Sequence, residues 1–105
     1  MNSLFSILMF TIHLFGSEPK LINETDSFPG VHIQPNIALE KATPYLEEHG
    51  TYNWDKEKEL STYILLKGEW YYIMQTNYPA KSLSFYLKPA VMVHTDSGQI
   101  KFSEK

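Results

Sequence analysis

Cysteine is absent from the 105 residues, which removes disulfide staples, thiol nucleophiles, thiolate metal sites and lipid attachment through sulfur. Arginine is absent too, since all nine basic residues are lysines. A formal charge of −3 with scattered lysines and no planar guanidinium fork is not the footprint of a nucleic-acid binder, so no nucleic-acid partner is expected. No apolar run reaches the roughly 20 residues of a membrane-spanning helix. The histidines, His13, His32, His49 and His94, never fall at the H-x-x-x-H spacing of a metal pair. There is no G-x-S-x-G nucleophile elbow and no glycine-rich phosphate loop. These absences predict a chain that is not an enzyme and uses no metal or cofactor.

Charge is also missing at the start, where the first charged side chain is Glu18. Residues 4–15 form an apolar core broken only by Ser6, Thr11 and His13, followed by Gly16-Ser17. That length and those small residues read as a signal peptide over residues 1–16, cut after Gly16, although no Lys or Arg precedes the apolar run. A buried N-terminal element and an uncleaved anchor are the alternatives. Residues 17–30 alternate charges with Asn23, Asp26, Pro19 and Pro29-Gly30 and read as a flexible linker. Asn23-Glu24-Thr25 has the form of a glycosylation acceptor, which matters only in a eukaryotic secretory pathway. An exported domain without cysteine suits a bacterial envelope, as a periplasmic or secreted protein.

Residues 31–105 are long enough for one modest core. Leu39, Ala42, Leu46 and His49 recur at helical spacing, with Asn36 placed to cap the start and Gly50 to close the end. Pro44 interrupts this pattern. It either kinks the helix or opens a second one capped by Thr43. STYILL and WYYIMQT, separated by Lys67-Gly68-Glu69, predict a β-hairpin with Trp70, Tyr72 and Met74 on one face and Tyr71 and Ile73 on the other. After Asn77-Tyr78-Pro79 the chain returns through Leu83, Phe85 and Leu87 to AVMVH, and Thr95-Asp96-Ser97-Gly98 turns into a final strand with Ile100 and Phe102 inward. The expected class is α+β, one N-terminal helix on a roughly four-stranded antiparallel meander.

IALEKATPYLEE, GEWYYI and AVMVHTDSGQI, taken in order, resemble the PepSY family and PepSY-like domains of the bacterial envelope. Such modules show an "EKA" helix start, an aromatic strand and a V-x-V-x-x-x-x-G-x-I ending. The resemblance covers residues 37–102, and departs from the pattern at Pro44 and in the long YPAKSLSFYLKP connection. It implies a non-catalytic module that restrains peptidases or binds other envelope proteins.

The residues point to two readings. In the first, an aromatic face of Trp54, Trp70, Tyr71, Tyr78 and Tyr86 binds an envelope protein or peptide, because aromatic side chains bring large rigid area at low entropic cost. Those rings could equally form the second half of a thin core. In the second, a small-ligand or enzyme pocket lies between helix and sheet, a reading for which the sequence supplies no converging polar set. His49 is expected to stabilise the helix end through the dipole, and Asp96 to accept bonds from its own turn. The acidic run of Glu47, Glu48, Asp55, Glu57 and Glu59 reads as solvated surface. Membrane contact is expected only through an uncleaved leader.

Overall fold

The computed structural model describes residues 18–85 and 87–104; the leader and Tyr86 lie outside the described residues. In chain order the elements are β1 (Lys20–Ile22), α1 (Pro35–His49), β2 (Thr51–Tyr52), β3 (Ser61–Lys67), β4 (Trp70–Thr76), a 3₁₀ segment (Ala80–Phe85), β5 (Ala90–His94) and β6 (Ile100–Ser103). The class is α+β. The meander expected from the sequence is present as β3-β4-β5-β6, paired antiparallel throughout.

Two further strands complete a six-stranded sheet, and both correct the expectation. β1 falls inside the supposed linker and pairs antiparallel with β3, Leu21 opposite Leu65, burying Ile22. The helix is therefore not the first element. β2 lies within the acidic run between Glu47 and Glu59 and runs parallel to β4, with Tyr52 opposite Thr76. It fits there because β5 pairs with β4 only as far as Ile73, which leaves the end of β4 open on that side.

Glycine makes both hairpins possible: Gly68 and Gly98 sit at φ 62° and 75°, a region that costs a residue with a Cβ. The helix starts with Pro35 at its first turn and Gln34, not Asn36, at the N-cap. Pro35 has no N–H to lose at that position. The Gln34 side chain instead holds the preceding loop, accepting from Phe28 N at 2.8 Å and donating to Phe28 O at 2.9 Å and Val31 O at 2.6 Å. α1 runs as one helix through Pro44, which faces outward, where water can reach the Glu40 carbonyl that proline leaves without a donor. Thr43 caps no second helix, and its hydroxyl donates back to Leu39 O at 2.7 Å. Gly50 does close the helix, but at φ −131°. Its role is space, since a Cβ there would meet Leu46 Cδ2 at 2.9 Å and Ile73 O at 3.3 Å.

The helix contributes Ala42 and Leu46, as the spacing predicts, together with Ala38 to the core, and Leu39 packs against its margin. Two alanines let the backbone approach the sheet closely. Against them pack Ile22, Ile64, Leu66, Tyr71, Ile73, Val91 and Val93. The opposite sheet face has a smaller core of Leu65, Met74, Leu83 and Ala90, edged by Tyr63, Tyr72, Tyr78 and Leu87. That face is closed by the 3₁₀ segment. Burial of both faces explains why β3 and β4 read as nearly continuous apolar runs.

Candidate functional site

Strand alternation sets Trp70 and Tyr71, two of the expected aromatics, on opposite faces of the sheet. Tyr71 faces the helix at 0% exposure, and its hydroxyl donates to Ile33 O at 2.5 Å. It is a core residue, which corrects its assignment to a binding face. Burial pushes its phenol up to about 12, because the phenolate would lose its hydration. Trp70 does point to the other face, at the opposite end of β4 from Tyr78. Its ring meets His94 edge-on at 4.8 Å, and Lys101 Nζ lies 5.1 Å from the ring centroid. Seven residues of β4 separate the two ends by about 20 Å.

The structure does bring Trp54 and Tyr78 together. Their rings meet edge-on at 5.3 Å and 77°, and Tyr52 joins them with its centroid 6.0 Å from that of Tyr78. Tyr78 is half-buried against the smaller core, whereas Trp54 is 47% exposed. A polar scaffold fixes the group. Buried Thr76 donates to Tyr52 O at 2.6 Å and accepts from Tyr78 N at 3.0 Å. Asn77 pins the loop over residues 53–60: its amide donates to Asn53 Oδ1 at 2.8 Å, Asp55 O at 2.5 Å and Lys58 O at 3.0 Å. Its Oδ1 accepts from Asp55 N at 2.8 Å. The exposed indole thus stands on a loop whose backbone is tied to the end of β4.

Tyr52 and Asn77 are the members that sequence reasoning missed. Tyr52 lies inside the acidic run from Glu47 to Glu59 that reads as solvated surface, and Asn77 opens the stretch through which the chain returns to the sheet. The available signal was Asn77 directly following a strand and preceding Tyr78-Pro79, a position where an amide can bond to neighbouring backbone.

The polar residues singled out from the sequence take structural roles. His94 Nδ1 accepts from Asp96 N at 3.1 Å and Ser97 N at 3.2 Å, so the histidine rather than Asp96 satisfies the turn. Asp96 pairs with His32. His49 stacks on Phe102 at 3.8 Å and 7°, with Nδ1 2.6 Å from Glu104 Oε1. Beside them Tyr45 and Phe102 form a second exposed aromatic pair at the β6 edge, centroids 5.6 Å apart. Among the described residues no three His, Asp or Glu side chains converge as a metal set.

Between helix and sheet the space is filled by the larger core. A groove of about 410 Å³ opens instead at the β1 edge, lined by Leu21, Leu39, Tyr63 and the 23–25 turn among others. Among the described residues no helix is long and apolar enough to cross a membrane. The chain matches no protein-family model, no curated protein and no solved structure.

Proposed function

We propose that this chain is an exported, non-catalytic binding module that takes an envelope protein or peptide through the Tyr52–Trp54–Tyr78 cluster. The observation that carries the reading is Trp54, a large aromatic left 47% exposed on a loop immobilised by Asn77. A pre-ordered indole loses little entropy on binding, and tryptophan is among the residues most enriched at interface anchors. Restraint of a peptidase, as the PepSY-like resemblance implies, is the specific form of this function that we favour. The leader directs export and is removed near Gly16.

The test pairs a stability measurement with partner capture. Trp54→Ala should leave the urea midpoint nearly unchanged and weaken a partner held by the wild-type chain by about 2 kcal/mol or more. Retained capture by a folded Trp54→Ala chain would assign the indole to packing alone. Export is checked separately by mass spectrometry of the native protein, where an intact Met1 on cytoplasmic chain contradicts it.

A further inference from the structure

We infer that the sheet end carrying Lys20, Lys67, Trp70 and Lys101 seats on an anionic lipid surface, leaving the Trp54 loop on the side away from it. Register places these residues together. Lys20 opposes Leu66, its neighbour Lys67 opposes Trp70, and Trp70 opposes His94. Lys101 reaches back over the Trp70 ring at 5.1 Å. The two hairpin turns are joined at this end by the bond from Thr95 N to Glu69 O, 2.9 Å.

Charge is divided along the sheet in the sense the inference needs. The Trp70 end holds Lys20, Lys67 and Lys101, and Lys41 lies against Gly98. Its carboxylates are Glu18, Glu69 beside His94, and Asp96 paired with His32. Toward the far end Lys56, Lys58, Lys81 and Lys88 are outnumbered by Glu47, Glu48, Asp55, Glu57, Glu59 and Glu104. An anionic surface therefore attracts one end and repels the other. Tryptophan with lysine is also the pairing that suits a lipid headgroup layer, where the ring is amphipathic and the amine can reach the phosphates.

Chain length supplies the second argument. Lys20 is five positions beyond Phe15, the last residue of the apolar run, and five residues span at most about 17 Å. Whenever that run lies in a bilayer, the lysine and tryptophan end is the part of the domain held at the surface. The tether exists only while the leader is uncut, before its removal near Gly16 in the function proposed above, whereas the charge and aromatic pattern stands without it.

The two tryptophans sit at opposite ends and report on the orientation directly. The full chain would be mixed with vesicles containing brominated lipid, either phosphatidylcholine alone or with phosphatidylglycerol. Trp54→Phe isolates Trp70 and Trp70→Phe isolates Trp54, with circular dichroism confirming the fold of each. With phosphatidylglycerol, Trp70 should be quenched severalfold more than Trp54. High salt and the combined Lys20→Gln, Lys67→Gln and Lys101→Gln substitutions should both erase that difference. Chain that floats with the vesicles but shows equal quenching, or a preference indifferent to the lysine substitutions, overturns the inference and leaves the export reading standing. Failure to float with phosphatidylcholine, while phosphatidylglycerol still gives selective Trp70 quenching, defeats the leader reading alone. Failure to float with either lipid defeats both.

Discussion

The two faces of the sheet are made by the same strands and closed by different means. On one face a helix presents alanines and Leu46 to aliphatic side chains, and the one polar atom of Tyr71 is satisfied by Ile33. On the other a short 3₁₀ segment and the chain after it supply Leu83 and Leu87, and tyrosines take up the margin. A helix brings its own backbone hydrogen bonds, so it can cover a sheet with apolar contacts alone. A 3₁₀ segment of six residues is too short to cover the whole face, and polar-tipped rings and an exposed indole are left at its edge. The helix face is therefore closed, whereas the other leaves aromatic rings at its margin in contact with water.

Tyrosines on the two faces break or uphold that comparison most sharply. Tyr71→Ala, at a fully buried site, should lower stability by about 3–5 kcal/mol in urea denaturation. Tyr78→Ala should cost clearly less, and equal losses would mean that both faces are core. Leu46→Ala should cost about 2–5 kcal/mol, whereas exposed Glu47→Ala should stay within about 0.5 kcal/mol.

Alkaline pH probes the helix face without removing atoms. An unfolded tyrosine ionises near 10, whereas folded Tyr71 holds its proton to about 12. Between those values the unfolded chain binds fewer protons, so stability should fall by about 1.4 kcal/mol per pH unit. Below about pH 10 this contribution is fully present. Tyr71→Phe should flatten that part of the profile at a cost of about 1 kcal/mol for the lost bond to Ile33; an unchanged slope would place the titration elsewhere. A further test falls on the loop that carries the proposed binding residue. Asn77→Ala should cost about 1–2 kcal/mol and increase the mobility of Trp54 in fluorescence anisotropy, while an indole that stays rigid would show that the amide does not hold the loop.

The hairpins were legible because their signals are local. Alternation in STYILL and WYYIMQT, with Gly68 between them, needs only neighbouring residues to be read, as does Gly98 closing the last strands. The same alternation correctly set Tyr71 and Ile73 apart from Trp70, Tyr72 and Met74. It could not say which set the helix would cover, and Tyr71 was assigned to recognition on the wrong side of that choice. Lys20–Ile22 carries too few residues for a period to register, and it is a strand because β3 offers it an edge. Thr51–Tyr52 likewise depends on the stretch of β4 that β5 leaves open.

The candidate site divides along the same line. Composition and spacing by themselves determined a cysteine-free α+β domain rich in aromatics. Tertiary structure decided that Trp54 meets Tyr78 and Tyr52, that Trp70 lies a strand's length away beside Lys101, and that Asn77 ties down a loop beginning 24 residues earlier in the chain. Local propensity follows from steric and periodic rules within a few residues. Which ring is buried and which is left in water depends on partners distant in sequence, and those meet only when the sheet closes.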